Sequence, residues 1–431
     1  MALSQMAAGA VSGRRNAEAM LVLLSAGFLA LAWRALEAAG FDFPTGSGRI
    51  LTQFLFVAGL GHVALRIVAP RAAPVPYAAA IMLTAVGLAF VTRLSPPSAQ
   101  AQANWAVVGV ALMAGGALAA RRFDELRRWK YSAAVLAVVV LIATGLFGET
   151  RGGARLWVTI AGQTVQTTEI IKLFVVVFLA GYLADEGAVL SLPRMRFGGR
   201  TYSALPYLAP LVLTLVAALA ALALLKDLGT IAILLLLTMA VLYVATGRVL
   251  FVVGGLLLLA ATGAFGYVAF DHAQTRIDVW LDPYEDPDVT GYQTLQGIYA
   301  IQAGGVTGEG LGLGEPDIVP AVQTDYIFSA IAEELGLAGA MGVAMLYLVL
   351  LIAGLQVALD SPSGYGRLLA SAIALLIAIQ AAVIIAGNLR IIPTTGITLP
   401  FVSYGGSSLV VNFLMVGMLL GISEASARER R

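Results

Sequence analysis

The groups of this sequence that are suited to chemistry are carboxylates and cations beside apolar segments. Asp325 stands in Gln323-Thr324-Asp325-Tyr326, directly before an apolar run. Burial beside aromatic side chains would raise the pKa of its carboxyl toward the range of a general base, whereas a helix N-terminus would lower it. Thr324 or Asp325 could instead cap the helix, because both residue types are favoured there. Composition does not decide whether Asp325 is a helix cap or a general base.

Two further charged pairs lie at the ends of apolar segments. Glu169 and Lys172 are three residues apart and share one helix face. They are either an ion pair that holds helices together or the polar wall of a substrate cavity. Lys226 and Asp227 have the same two interpretations, and Lys226 could also extend to the lipid headgroups.

Charged and hydroxyl residues also lie on the C-terminal side of Asp325. Glu333 and Glu334 follow on the same helix, roughly 12–14 Å further along it, and are rotated away from Asp325. We therefore expect them to pair with polar groups of the bundle. The stretch 388–408 holds Arg390, two prolines and several hydroxyls including Ser403. It should be buried in protein or line a cavity, and the Arg390 guanidinium suits a phosphate.

The elements that must position these residues are apolar helices. The chain has 431 residues, 59% hydrophobic and 12% charged, about half the charge of a soluble protein, which excludes a water-soluble enzyme. Twelve spans of about 20 residues fit the apolar excess, so we predict an all-α polytopic membrane protein. The predicted spans are 19–38, 50–69, 76–93, 105–120, 132–147, 168–184, 207–224, 229–247, 250–270, 326–355, 367–388 and 404–422.

Composition excludes several classes of site. The absence of cysteine excludes disulfides, thiolate metal sites and cysteine nucleophiles. Two histidines argue against a multi-histidine metal centre. A net charge of +1 argues against a nucleic-acid partner.

Most Lys and Arg residues fall in segments on the same side of the membrane as the N-terminus. The positive-inside rule therefore places both termini in the cytoplasm. The connection 271–325 then lies outside the membrane. It holds ten of the 25 acidic residues and a single base, Arg276, and its interspersed aromatic residues predict an ordered loop. We expect the chemistry on this outer face.

Several motifs, in this order, resemble one family, the SEDS proteins (shape, elongation, division and sporulation) that include RodA and FtsW. The resemblance covers roughly 76–424. Its motifs are Gly153-Ala-Arg155-Leu-Trp157, Gln166-Thr-Thr-Glu169-Ile-Ile-Lys172, Asp227-Leu-Gly229-Thr230, Trp280-Leu-Asp282-Pro283, Gly291-Tyr292-Gln293, Thr324-Asp325-Tyr326-Ile-Phe328, Glu333-Glu334-Leu-Gly336, Pro393-Thr-Thr-Gly396 and Ser403-Tyr-Gly-Gly-Ser-Ser408.

The resemblance implies a ten-helix core at 76–424 that includes the outer loop 271–325. Two additional N-terminal helices at 19–69, typical of a longer RodA-like branch, would precede it, with cytoplasmic ends at 1–18 and 425–431. Such proteins polymerise lipid II into glycan strands at the outer face of the bacterial cytoplasmic membrane. They release undecaprenyl pyrophosphate and work with a class B penicillin-binding protein and other elongation or division proteins.

By the same resemblance Asp325 is the catalytic general base. The family's usual histidine two residues earlier is replaced here by Gln323, while the acid remains. A divalent cation, Mg²⁺ or Mn²⁺, could share the pyrophosphate charge, but no strong ligand spacing appears. The expected substrate-binding residues are Arg155, Glu169, Lys172, Lys226, Asp227, Arg390 and Ser403.

Two other functions compete with a glycosyltransferase. Twelve spans, buried charges and broken helices also suit a transporter or a lipid-precursor flippase. Against it, the halves show no internal repeat and the polar residues concentrate on one face. A non-catalytic scaffold is the third reading, and it predicts that Asp325→Ala leaves activity intact.

Overall fold

The computed structural model describes residues 2–44, 46–151, 154–160, 162–191, 195–197, 200–202 and 205–430. Met1 and Arg431, at the ends of the predicted cytoplasmic segments, and Gly153 of the first motif lie outside the described residues. The predicted cytoplasmic N-terminus is helical, because the first helix begins at Ala2.

The described chain is almost entirely helical, which confirms the predicted fold class. Its α-helices are α1 (Ala2–Ala38), α2 (Gly48–Val68), α3 (Val75–Leu94), α4 (Pro96–Ala119), α5 (Phe123–Arg127), α6 (Lys130–Phe147), α7 (Thr167–Leu190), α8 (Ala209–Leu224), α9 (Leu228–Thr246), α10 (Val249–Ala269), α11 (Asp271–Leu281), α12 (Tyr292–Gly304), α13 (Ile327–Asp360), α14 (Gly364–Asn388) and α15 (Gly406–Glu429). Its strands are β1 (Glu149–Arg151), β2 (Ala154–Ile160), β3 (Gln163–Gln166), β4 (Met195–Phe197) and β5 (Arg200–Tyr202).

Each of the twelve predicted spans coincides with a helix. Within the described residues, eleven helices are long and apolar enough to cross a membrane. The twelfth is α8, an apolar helix of 16 residues, which a short 3₁₀ turn at Leu205–Leu208 precedes. The predicted outer loop 271–325 contains α11, α12 and a 3₁₀ turn at Pro316–Ile318, so it is ordered, as expected from its aromatic residues.

The chain forms two compact units. The first comprises 1–121, 274–353 and 380–431, and the second 122–273 and 354–379. In the first unit α1 packs on α3 and α2 packs on α4. The helix α3 is buried on nearly all sides, as expected for a helix that is apolar around its whole circumference.

The tightest packing in the first unit joins α4 to α15. Glycines make this approach possible: a Cβ on Gly417 would lie 2.1 Å from the carbonyl oxygen of Met113, and one on Gly421 would lie 2.5 Å from that of Ala117. Because small residues let helix backbones approach closely in membranes, this pair forms a rigid centre for the unit.

In the second unit α7 packs between α6 and α9, and α10 packs on α9. Almost no side chain of α10 is buried within the protein, which is typical of an apolar helix that faces lipid. Between α6 and α7 the chain forms an antiparallel sheet in the order β1-β2-β3, with Val158 paired to Val165.

Candidate active site

A polar cavity of about 110 Å³ lies in the first unit, beside Asp325. Four parts of the chain line it: α11, α12, the residues directly before α13, and the end of α14 with the segment that follows it. The lining residues are Thr275, Arg276, Val279, Thr290, Gln293, Thr294, Asp325, Tyr326, Ile384, Gly387, Asn388, Thr394, Thr395, Gly396 and Ile397. The cavity therefore joins the 271–325 segment to the 393–396 motif.

The backbone of Asp325 is held from two directions. Its N–H donates to the carbonyl of Ala321 (3.0 Å), and its own carbonyl accepts a hydrogen bond from Asn388 Nδ2 (2.8 Å). Burial raises the pKa of the Asp325 carboxyl, while the Thr324 hydroxyl and the positive charge of Arg276 act in the opposite direction. Within the described residues no hydrogen bond to this carboxylate caps α13, and the role of Asp325 as the general base stays a prediction.

The next residue, Tyr326, anchors the start of α13 in the protein. Its ring is 2% exposed, and its hydroxyl lies 3.1 Å from Thr294 Oγ1 on α12. The ring packs against Gly297, where a Cβ would lie only 2.5 Å from two ring carbons. The glycine in α12 thus fixes the position of the residue that follows the carboxylate.

Arg276 is the cation of this cavity, and sequence reasoning missed it as a site residue. Its Nη1 donates to the carbonyl of Thr395 (2.9 Å), and its Nη2 lies 2.9 Å from where a Cβ on Gly396 would be. Gly396 has a φ of 67°, so glycine suits both the backbone and the approach of the guanidinium. The available signal was its position as the only base in the acidic segment 271–325.

Arg390, expected to bind phosphate, donates to two backbone carbonyls, and its contact with phosphate stays a prediction. Its Nε and Nη2 donate to the carbonyls of Trp280 (2.8 Å) and Leu281 (2.7 Å) at the end of α11. Trp280 Nε1 in turn donates to the Arg390 carbonyl (3.1 Å). These bonds join the end of α11 to the residues after α14. Arg390 also lines a crevice of about 10 Å³ together with Arg276.

The backbone of Arg390 has an unusual conformation for a residue with a side chain. Its φ is 55°, its N–H donates to Gly387 O (3.0 Å), and the N–H of Ile391 donates to Ala386 O (2.8 Å). This pair of bonds is the Schellman motif, whose left-handed position glycine usually occupies.

Ser403 is not among the residues that line the cavity. Its hydroxyl donates to the carbonyl of Thr324 (2.6 Å) and accepts from the N–H of Leu399 (2.9 Å). The N–H of Tyr404 donates to Gln323 O (2.8 Å). Ser403 therefore ties the last motif to the residues before Asp325. Its predicted contact with substrate stays a prediction.

In the second unit, Glu169 and Lys172 form the buried pair that their spacing predicts. The Lys172 Nζ lies 2.8 Å from Glu169 Oε2, and both side chains are 2% exposed. Asp227 is also buried and caps α9, since its carboxylate accepts from the N–H of Thr230 (2.9 Å). The geometry matches the structural interpretation of these residues, and their role as a substrate wall stays a prediction.

The other two predicted cations of that unit, Lys226 and Arg155, are exposed. Lys226 ends α8 with a φ of 62°. Its N–H donates to Ala223 O and that of Asp227 donates to Leu222 O, both at 3.0 Å, so this is a second Schellman motif with a basic residue at the left-handed position. The guanidinium of Arg155 donates to the carbonyl of Gly145 (3.0 Å).

The apolar helices indicate a membrane protein. The half-buried carboxylate in a polar cavity is typical of an enzyme active site. The model of the FtsW, RodA and SpoVE family, described as cell cycle proteins, matches residues 75–428. This chain belongs to that family and is a multi-pass membrane protein.

Individual relatives agree with this assignment. The peptidoglycan glycosyltransferase RodA of Mycobacterium tuberculosis (strain ATCC 25618 / H37Rv) is 34% identical over 97% of this chain and 92% of its own. The probable peptidoglycan glycosyltransferase FtsW of Geobacter sulfurreducens (strain ATCC 51573 / DSM 12127 / PCA) is 33% identical over 73% of this chain and 83% of its own.

Solved structures show the same fold. A chain from a peptidoglycan synthase complex that coordinates polymerization and crosslinking has a TM-score of 0.66 and 26% identity, covering 82% of this chain and 96% of that one. The rod shape determining protein RodA of Thermus thermophilus has a TM-score of 0.58 and 23% identity, covering 80% and 94%.

Proposed function

We propose that this chain polymerises lipid II into glycan strands at the outer face of the bacterial cytoplasmic membrane. It is a peptidoglycan glycosyltransferase, the activity for which its RodA and FtsW relatives are named. The RodA relative covers 97% of this chain and the FtsW relative 73%, which favours a role in elongation and shape over one in division.

The observation that carries the mechanism is the half-buried Asp325 carboxyl beside Arg276 in the polar cavity. Asp325 takes the proton from the 4-hydroxyl of one GlcNAc as that oxygen attacks the anomeric carbon of a MurNAc on the other lipid-linked chain. The bond from that carbon to undecaprenyl pyrophosphate breaks. Because pyrophosphate leaves without protonation, one carboxylate base is sufficient, unlike the pair that glycoside hydrolysis uses.

Arg276 supplies the positive charge of this site in the proposal. It is the fixed cation on the cavity wall, and preorganised charges act where negative charge develops in the transition state. The cavity of about 110 Å³ leaves room for reacting groups beside Asp325 and Arg276. The predicted contributions of Arg155, Lys172 and Lys226 to substrate binding remain part of the proposal.

A divalent cation does not fit the donors of the cavity. Within the described residues no group of three or more His, Asp or Glu side chains has a metal-binding arrangement, and Asp325 is the one carboxylate on the cavity wall. No step of the proposed mechanism therefore uses Mg²⁺ or Mn²⁺.

The proposal includes a partner and an orientation. A class B penicillin-binding protein would cross-link the strands, and the similar solved chain comes from a complex of polymerization and crosslinking. Both termini would be cytoplasmic and the segment 271–325 would lie outside, in accordance with the positive-inside rule.

The experiment is glycan polymerisation from purified lipid II by the detergent-purified protein, with and without a penicillin-binding protein and with Mg²⁺ or Mn²⁺ added and then chelated. Asp325→Asn should abolish polymer, because the amide cannot accept the proton. Asp288→Asn, an exposed acid of the same segment, is the matched control and should retain wild-type activity. Equal activity of both variants would remove Asp325 from the mechanism. No polymer from wild type with its partner would favour the flippase or the scaffold.

A further inference from the structure

The helix that follows Asp325 is interrupted. At Gly336 α13 has a φ of 66° and a ψ of −169°, which divides it into a short segment, 327–335, and a long segment, 337–360. The short segment begins two residues after Asp325 and is about 13 Å long. Whatever fixes this short segment therefore fixes the carboxylate.

The loop 305–314, called here the glycine loop, fills the interruption. The N–H groups of Glu309 and Gly310 donate to the carbonyls of Glu333 and Glu334, both at 3.0 Å. On the other side of the break the N–H of Leu337 donates to the carbonyl of Gly305 (2.9 Å). The backbone groups that the break frees are thus satisfied by this loop.

The two carboxylates of the short segment have the structural partners that the sequence led us to expect. Glu333 accepts from the N–H of Glu315 (2.8 Å). Glu334, whose side chain is 0% exposed, accepts from Arg93 Nε at 3.2 Å. Arg93 is the one arginine of α3, a buried helix distant in sequence, so this bond connects the short segment to the core of the unit.

Arg93 makes two more contacts with its other nitrogens. Nη1 lies 2.9 Å from Asp317 Oδ2, and Nη2 donates to the carbonyl of Gly314 (3.0 Å). With Glu334 this gives three acceptors on three pieces of chain: α13, the 3₁₀ turn and the glycine loop. A guanidinium fork makes such a set of directed bonds, whereas a lysine ammonium acts as a point charge.

The N-terminal helical hairpin, α1 and α2, closes this arrangement from the side. The Arg93 guanidinium lies 5.9 Å from the centre of the Phe41 ring. Gly312 of the glycine loop packs on α1, where a Cβ would lie 3.0 Å from Leu36 Cδ2 and 3.1 Å from Ala39 Cβ. The hairpin lies outside the residues that match the family model, so this support is an addition to the shared core.

We propose that Arg93 is a positioning residue for Asp325. It holds the short segment of α13 and the glycine loop in one arrangement, and the N-terminal hairpin supports it through Phe41. The hairpin thereby acts on catalysis without contributing a group to the cavity. This inference rests on the proposed role of Asp325 as the general base.

The first test is the kinetics of Arg93→Met in lipid II polymerisation. We expect kcat to fall about tenfold with KM for lipid II within twofold of wild type, because the base is displaced and the rest of the binding surface remains. Arg34→Met is the matched control: this arginine of α1 is exposed and pairs only with its helix neighbour Glu37 (2.7 Å) within the described residues. It should keep wild-type kcat.

The second test measures position directly. The chain has no cysteine, so Asp325→Cys introduces a single thiol at the site. Its alkylation rate under native conditions should change at least threefold when Arg93→Met is added. Val289→Cys, which is exposed, is the control and should label at the same rate in both backgrounds. If Arg93 contributes only to the overall stability of the fold, both alkylation rates of the folded protein stay unchanged.

The outcomes separate this inference from the proposed function. Full activity of Asp325→Asn would refute the proposed function whatever Arg93 does. Wild-type kcat and labelling in Arg93→Met, beside an inactive Asp325→Asn, would refute the positioning role alone. If Arg93→Met does not fold, Arg93→Lys and Asp317→Asn replace it, and wild-type kcat in both of these would refute the three-point contact.

Discussion

Replacing Gly297 by alanine is the most direct perturbation of the proposed active site that leaves every polar group in place. Gly297 lies in α12 and faces the ring of Tyr326, the residue after Asp325. An alanine Cβ would lie 2.5 Å from two carbons of that ring. Because carbon atoms in contact are about 3.5–4.0 Å apart, the buried ring must retreat by about 1 Å.

Two effects on stability oppose each other. Alanine in place of glycine favours the helix by about 1 kcal/mol, whereas overpacking a filled site costs about 1–3 kcal/mol. The net loss of stability should therefore lie between about 0 and 2 kcal/mol, which most folds tolerate. Catalysis is more sensitive: a displacement of about 1 Å of a reacting group costs roughly a hundredfold, so we expect kcat to fall about a hundredfold.

Initial rates of lipid II polymerisation measure kcat, and denaturation in detergent measures stability. The matched control is Gly342→Ala in the long segment of α13, where a Cβ meets nothing within 4 Å. It should keep wild-type kcat and equal or higher stability. Wild-type kcat in Gly297→Ala would show that the position of Tyr326 does not determine that of Asp325, and the geometric argument for the site would then fail.

Substitutions at three other places test the electrostatics and the anchoring of the sites. Arg276→Gln should move the acidic limb of the pH–rate profile upward and Arg276→Lys should move it less, because the base acts only when deprotonated and the Arg276 charge lowers the pKa of Asp325. Lys172→Met should cost about 3–5 kcal/mol in detergent denaturation, since it leaves Glu169 buried and unpaired, and Glu169→Leu in the same chain should recover most of it. Ser403→Ala should cost about 1–3 kcal/mol in that denaturation, because two backbone groups lose their partner.

The helices of this protein were predictable because their signal is local. Apolar runs between charged or Pro/Gly-rich breaks located all twelve, including α8, whose 16 residues are fewer than a typical span. The interruption of α13 was not predicted. A single glycine such as Gly336 is tolerated within many helices, and the groups that stabilise the break come from the glycine loop.

The candidate site was only partly predictable, since its contacts join distant parts of the chain. Motif order pointed to Asp325, but Arg276 acquires its place from Thr395, which is 119 positions away. The contacts of Arg390 also join residues that are far apart in sequence. Its guanidinium suits a phosphate, and that contact stays a prediction, but only the fold shows that two of its donors bind the end of α11. Residue type predicts what a side chain is able to bind, and the fold decides which acceptor it reaches.

The left-handed ends of α8 and α14 have a consequence for engineering. A residue with a Cβ in this conformation costs roughly 1–2 kcal/mol that glycine avoids, so Lys226→Gly is a rational thermostabilising change. At Arg390 the same change would also remove the clamp on α11, and part of the gain would be lost. A stability-guided redesign would select glycine at both positions. It would thereby remove from the protein the two basic side chains that end α8 and α14, and a screen for melting temperature alone would score that loss as an improvement.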